Sequence, residues 1–385
     1  MHKGAPPRVA LVTYSTKSRG GVVHTLHLAE ALYRLGQPMH LFATGDPEAG
    51  FYRHTDVPHT IIPAPPSAPT LEERVFRMVD TMANALACAV PGKYDILHAQ
   101  DCIATRAATR VRDAGTPVTV IRTVHHVDDF STQALIDCQN RSILDPDHVL
   151  VVSRYWRCLL LEEYGIHADV ITNGVDAARF ARPKEFDGAA MRARIGANGR
   201  FLFLHVGGIE PRKGSIELIE ALSRVRSHLA PSPVLAVIGA KPFQDYSGYR
   251  DRVFERTEDL GLEIGKDLVL LETVGDAELP SWYQAADAFI FPSIKEGWGL
   301  AVLEAMAAGL PVITSDIPVF REYLTDGRDV VMTPAGNATA LADAMVRVAT
   351  DAGLRSRLQQ AGPKVAARFT WEACARQHVA IYQQL

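Results

Sequence analysis

The sequence predicts an α/β protein built as two doubly wound domains, and three observations carry that prediction. The chain has 385 residues, enough for two domains of about 150–200 residues each. Short β-branched runs alternate with amphipathic helical stretches, separated by Gly/Pro/Asp turns. The strand segments are nearly continuous in apolar residues, as expected of parallel strands covered on both faces by helices.

The first set opens with "RVALVTY", followed by "VVHTLHLAEALYRLG", where Val23, Leu26, Leu28, Ala29 and Leu32 fall at helical spacing. The pair recurs as "YDILHAQ" with "CIATRAATRVRDAG", as "PVTVIRT" with a helix after Phe130, and as "HVLVVS" with a helix to Tyr164. "ADVITNGVD" closes this half, and Asn173-Gly174 has the chemistry of a turn or hinge. The stretch from Gly45 to Pro69, rich in Pro and small residues, reads as a mobile surface loop. After the polar stretch "DAARFARPKEFDG" the second set runs "RFLFLHVG", "SIELIEALSRVRSHL", "PVLAVIGA", "YRDRVFERTEDLG", "DLVLLETVG", "LPSWYQAAD", "AFIFPS" and "PVITS". The domains are expected over residues 1–175 and 176–367, with a terminal segment over 368–385.

Composition narrows the function classes. Hydrophobic residues make up 47% and charged residues 22%, as in a soluble globular protein. A net charge of -4 argues against a general nucleic-acid binder. No segment approaches the roughly 20 apolar residues of a membrane span, and the first apolar run is too short for a signal peptide. Five cysteines (Cys88, Cys102, Cys138, Cys158, Cys374) are scattered without CxxC spacing, so all five read as packing residues in a reducing cytoplasm.

Four stretches carry chemistry. In "STKSRGGVV", Gly20 and Gly21 follow the first strand and open the first helix, where free N–H groups can meet an anion or a polar ligand. It is not the GxGxxG fingerprint, and a plain tight turn fits equally. "GGIEPRKGS" likewise joins a strand to a helix, but Lys213 stands where a P-loop needs its second glycine. What remains is a glycine-rich turn bringing Arg212 and Lys213 to a helix N-terminus. Cations there oppose the helix dipole, and a phosphate between them and the N–H groups would resolve the conflict. The bland alternative is a solvated surface pair.

"KEGWGLAVLEAMAAGLPV" predicts a helix starting near Gly299 or Leu300, with Glu296 in the preceding turn and Glu304 about one turn inside. The helix dipole alone favours an early glutamate, which is the structural reading of Glu304. Gly299, Leu300 and Ala301 would expose N–H donors suited to a diphosphate. No HxxE or DxD cluster lies nearby, so no metal is expected, and two carboxylates so differently placed do not resemble a glycosidase acid/base pair. A ladder of contacts along one ligand fits better. "RTVHHVDDF" leaves a strand's carboxyl end with His125, His126, Asp128 and Asp129, where open α/β sheets bind ligands. A structural histidine pair is the alternative, and zinc lacks a third histidine or cysteine at suitable spacing.

The segment "EGWGLAVLEAMAAGLPVITSDIPVFREYL" resembles the E-x7-E region of the retaining glycosyltransferases of family 4 (glycosyl transferases group 1), which have the GT-B fold. "GGVVHTLHLAEALYRLGQPMHLF", "YDILHAQD", "VLVVSRYWRCLLLEEYGI", "VITNGVDAARF", "AELPSWYQAADAFIFPS" and "FTWEACARQHVAIY" match that family in order, covering essentially the whole chain. The resemblance implies two Rossmann-like domains separated by a cleft. The first would be the acceptor side, the second would bind a nucleotide-sugar, and the last helix would return to the first. Carried over by motif, Glu296 would contact hydroxyls of the donor sugar and Glu304 the ribose. Gly299, Leu300 and Ala301 would hold the diphosphate together with Lys213, and Val274 would lie near the base. His125 matches the family's catalytic-site histidine facing the sugar, with His126 beside it on the acceptor side. Gly20 and Gly21 would face diphosphate and acceptor. The family's usual arginine after "RFLFLHVG" is replaced by Gly208, with Arg212 expected to take part of its role.

The implied reaction is transfer of a sugar from a nucleoside diphosphate sugar to an acceptor hydroxyl with retention, needing no cofactor, metal or carboxylate nucleophile. The alternatives are a GT-B epimerase or phosphorylase, and a nucleotide-sugar binder that has lost catalysis, which Gly208 suggests. No motif fixes the base (UDP, GDP or ADP), the sugar or the acceptor. The helix in "TLEERVFRMVDTMANALACAV" carries acids beside its arginines, which favours a soluble acceptor over membrane docking.

Overall fold

The computed structural model describes residues 5–183, 185–239 and 243–385. The chain divides into two compact units: unit 1 runs to Gly174 and takes in Trp371–Leu385, and unit 2 is Val175–Thr370.

Unit 1 is a seven-stranded parallel sheet: β1 (Val9–Thr13), β2 (Met39–Gly45), β3 (His59–Pro63), β4 (Ile96–Ala99), β5 (Thr119–Val124), β6 (His148–Val151) and β7 (Asp169–Val170), in the order β3-β2-β1-β4-β5-β6-β7. Its helices are α1 (Gly20–Arg34), α2 (Leu71–Ala89), α3 (Cys102–Asp113), α4 (Gln133–Leu144) and α5 (Arg154–Tyr164). Side-chain caps start three of them: Thr70 accepts from the Glu73 amide, Asp101 from Ala104 and Ser153 from Trp156. Every residue of β1 is buried, which is why its run is apolar throughout. The C-terminal helix, Trp371–Tyr382, packs on α1.

Two expectations need correction. The stretch from Gly45 to Pro69 is not merely a loop: it contains edge strand β3, paired in register with β2 from Leu41↔His59 to Gly45↔Pro63. Phe51, Thr55 and Val57 anchor the rest by burial. Pro63 closes an edge strand, the position where a missing N–H is tolerated. The cysteines are all free, but only Cys138 and Cys374 are buried, whereas Cys88 and Cys158 are exposed on helix surfaces. Those two are not packing residues.

Unit 2 begins with α6 (Ala177–Phe180) and α7 (Ala189–Ala193) and then winds β8 (Leu202–Val206), α8 (Ser215–Arg226), β9 (Val234–Ile238), α9 (Ser247–Asp259), β10 (Leu268–Glu272), α10 (Leu279–Ala285), β11 (Ala288–Phe291), α11 (Leu300–Ala307), β12 (Val312–Ser315), α12 (Pro318–Arg321), β13 (Val331–Thr333), α13 (Ala338–Thr350) and α14 (Ala352–Ala366). Its sheet is parallel with order β10-β9-β8-β11-β12-β13. One core fills the space between sheet and helices, with Phe203, Leu235, Ile290 and Ile313 packed against Leu222, Val225, Met345 and Val348.

In both sheets the winding reverses beside the first strand of the unit: between β1 and β4, and between β8 and β11. Loops diverging from such a switch point leave a crevice at the strands' carboxyl ends.

Candidate functional site

In unit 2, the loops after β8 and β11 are tied together at the switch point. A 3-10 turn, Pro211–Lys213, follows β8, and the Arg212 carbonyl accepts from the amides of Ile294 (2.8 Å) and Lys295 (3.4 Å). Gly214 then enters α8 at φ +66°, with Pro292 so close that a Cβ would lie 2.3 Å from its carbonyl oxygen. Only glycine lets the two loops approach this closely.

The approach brings Lys213 and Glu296 together. Lys213 Nζ donates to Glu296 Oε1 at 2.5 Å, Arg212 Nη1 lies 3.4 Å from the same oxygen, and Arg212 Nε pairs with Glu210 at 2.9 Å. Lys213 also stands over the Phe291 ring at 4.6 Å. Burial alone would raise the Glu296 carboxyl, but Lys213 and then Arg212 outweigh it and hold Glu296 below the usual carboxylate range. Burial, reinforced by Arg212, pulls the Lys213 ammonium down against the attraction of Glu296 and Glu210.

Past Glu296 the chain enters α11 through Gly299 at φ +94°. A Cβ there would lie 2.6 Å from the Phe320 ring. No acidic side chain occupies the first turn, and the opening N–H groups of Leu300 and Ala301 have no partner within the helix. Trp298 stacks on Tyr323 (4.6 Å), whose hydroxyl donates to the Trp298 carbonyl at 2.8 Å, which fixes the turn.

Glu304 sits one turn into α11, and its Oε2 accepts from the buried Tyr283 hydroxyl at 2.8 Å. Burial raises the Glu304 carboxyl, opposed by Tyr283 and Arg179. Val274 is half-buried in the loop after β10, whose last residue, Glu272, has φ +50°. That backbone is uncommon for a side chain other than glycine and marks a constrained turn. Arg179 clamps the same loop through the Asp276 carbonyl (2.6 Å) and carboxylate (2.8 Å). Arg212, Lys213 and Glu296 are thus brought together directly, with Gly299 three residues past Glu296 at the start of α11 and with Glu304 and Val274 on flanking elements of unit 2.

In unit 1, Gly20 and Gly21 open α1, and a Cβ at either would meet nothing within 4 Å. Neither has a positive φ, so neither space nor backbone conformation demands glycine there. His125 follows β5 and meets His24 of α1 edge-on at 4.5 Å. Burial, then Arg122 and His126, holds the His125 imidazole neutral, and burial does the same for His24. His126 points elsewhere, with Nε2 3.3 Å from Asp128. His24 in turn meets Trp371 at 5.4 Å, and His27 stacks on that indole at 5.2 Å.

Sequence reasoning missed His24, Arg179 and Tyr283. The first looks like one more residue on an apolar helix, and the other two act on partners far along the chain. Among the described residues, no group of three or more His, Cys, Asp or Glu could hold a metal ion, and no helix is long and apolar enough to cross a membrane.

Two doubly wound units, each presenting polar loops at its switch point, define a protein of the GT-B class. Solved structures share that fold: Anabaena HepE in complex with UDP-glucose superposes with a TM-score of 0.80 at 17% identity, covering 98% of this chain and 100% of that one. Two family models match in succession, "Glycosyltransferase Family 4" over residues 18–179 and "Glycosyl transferases group 1" over residues 189–365. The chain belongs to the family-4 glycosyltransferases. Its similar proteins include a phosphatidyl-myo-inositol mannosyltransferase of Mycobacterium leprae, 28% identical over 96% of this chain and 94% of that one. A D-inositol 3-phosphate glycosyltransferase of Kribbella flavida is 28% identical over 78% of this chain and 73% of that one.

Proposed function

We propose that this glycosyltransferase moves a hexosyl group from a nucleoside diphosphate sugar to an acceptor hydroxyl with retention of anomeric configuration. The observation that carries the reading is the Lys213–Glu296–Arg212 cluster beside the open start of α11. The barrier in such a transfer lies in separating an oxocarbenium-like sugar from a departing diphosphate. Lys213, Arg212 and the amides of Gly299, Leu300 and Ala301 are preorganised where the leaving charge would develop. Glu296, held ionised, accepts from donor-sugar hydroxyls and orients the ring. Glu304 takes the ribose and Val274 lies beside the base.

In unit 1 His125, kept neutral, serves the sugar, while Gly20, Gly21 and His126 serve the acceptor side. The donor's own phosphate takes the acceptor's proton, so the chemistry draws on no carboxylate nucleophile, metal or further cofactor. Support for the donor class comes from HepE, solved with UDP-glucose. The two relatives' names point to inositol derivatives as the first acceptors to try.

The test is a thermal-shift screen of UDP-, GDP- and ADP-sugars, followed by NMR of the product's anomeric centre with free inositol and inositol phosphates. A stabilising donor whose anomeric configuration survives in the product supports the reading; inversion, or no transfer and no hydrolysis from a bound donor, refutes it. The latter outcome favours a binder that has lost catalysis.

A further inference from the structure

Glu304 lies on α11, and its carboxylate is held by one group. Tyr283, on α10 and fully buried, donates its hydroxyl to Oε2 at 2.8 Å, and among the described residues no other side chain bonds this carboxylate. The phenol is itself fixed: its ring meets Phe180 edge-on at 5.4 Å and Phe289 at 5.6 Å. Gln284, the next residue on α10, donates to the carbonyls of Phe180 (3.3 Å) and Ala181 (3.1 Å), pinning α6 to α10. A carboxylate anchored through one oxygen by an immobile donor has one oxygen left in a defined direction. That arrangement suits a hydroxyl of a ligand better than a solvated cation or a second protein group.

We propose that Tyr283 is a positioning residue that turns Glu304 into a reader of the ribose hydroxyls, so that the protein distinguishes ribonucleotides from 2′-deoxy- and 3′-deoxyribonucleotides. The inference rests on the proposed donor class and on Glu304 meeting the ribose. Tyr283 touches neither ligand nor reacting atoms; it removes the rotational freedom of the carboxylate and occupies Oε2. Without the phenol hydroxyl, the carboxylate loses its anchor and a favourable bond to its charged form. Glu304 then protonates at higher pH and offers its free oxygen in many directions.

The experiment measures dissociation constants of UDP, GDP and ADP, each against its 2′-deoxy and 3′-deoxy counterpart, for wild type, Tyr283→Phe and Glu304→Gln. A hydrogen bond to a charged group predicts about 10- to 100-fold preference for the ribonucleotide in the wild type. In Tyr283→Phe the preference should drop to about 3-fold and weaken further from pH 8 to pH 6, with deoxynucleotide affinity unchanged within about 2-fold, as expected when one hydrogen bond's orientation is lost. A merely structural role would weaken both ligands equally and leave the ratio intact. Tyr283→Met, which also lacks the hydroxyl but packs flexibly, supplies the same comparison should the phenylalanine variant fold poorly. An unchanged ratio in the Tyr283 variants, with Glu304→Gln abolishing it, overturns this inference alone. No preference in the wild type overturns it together with the placement of Glu304 on the ribose.

Discussion

Replacing Lys213 with methionine keeps an unbranched side chain one atom shorter, removes its charge and leaves the Glu296 carboxylate buried. Both residues are nearly enclosed, 8% and 7% exposed, with Nζ and Oε1 2.5 Å apart. At an effective dielectric of about 20 the Lys213 attraction is about 7 kcal/mol gross, and that of Arg212 at 3.4 Å about 5 kcal/mol. Arg212 therefore compensates part of the loss, and the cost falls at the lower end of the 3–5 kcal/mol typical of a broken buried pair, about 3 kcal/mol. Protonation sets a ceiling slightly above this: neutralising a carboxyl of ordinary pKa at pH 7 costs about 4 kcal/mol.

The sign with pH follows. In the wild type, the depressed Glu296 pKa contributes stability above the unfolded value, lost as pH falls through the folded one. In the variant, burial dominates and raises that pKa, so lowering pH from 7 to 5 should recover about half the deficit relative to wild type. Urea titration followed by tryptophan emission at both pH values measures this. Adding Glu296→Gln to the variant should return about 2 kcal/mol at pH 7, since the uncompensated charge is gone. A deficit below about 1 kcal/mol at pH 7, or one unchanged at pH 5, would refute the charge argument.

Three further outcomes are expected. Glu296→Ala should lower turnover about 100-fold through misplacement of the sugar while nucleoside diphosphate affinity stays within about 3-fold; calorimetry and initial rates separate the two, and near-normal turnover would remove Glu296 from its assigned role. Gly299→Ala should destabilise by about 2–4 kcal/mol, combining a positive φ of +94° with a Cβ 2.6 Å from the Phe320 ring, and a melting temperature within 1 °C or so of wild type would refute the strain assignment. Burial pushes His205 down to about 4, so its stability contribution is complete above pH 6.5 and shrinks as pH falls, by about 2 kcal/mol at pH 5. His205→Gln should therefore lose that much less than wild type between pH 7.5 and pH 5, and parallel curves would count against it.

The alternation of apolar strands and amphipathic helices made both sheets legible, because strands buried on both faces announce themselves without reference to partners. The start of α11 was legible for a local reason too, since Gly299 and the residues around it cannot continue a helix backward. Edge strand β3 was not, because "HTIIP" is short, half-exposed and ordered by its pairing to β2. The meeting of Lys213 with Glu296 spans 83 residues, so the sequence presents them as two separate motifs; only the switch point joins them. Tyr283 and His24 escaped because a buried polar side chain on an apolar helix face looks like packing until its neighbour is seen.

The discontinuity of unit 1 has a consequence for biosynthesis. Tyr382 holds His98 at 2.7 Å, whose other nitrogen meets Thr123 at 2.7 Å, and Trp371 covers His24 and His27. These closing contacts come from residues translated after the whole of unit 2. At 5–20 residues per second, the 196 residues from Val175 to Thr370 leave unit 1 without its last helix for roughly 10–40 seconds. The half of the protein that emerges first is thus the half that finishes last, and its exposed α1 face is where a nascent chain would need shelter.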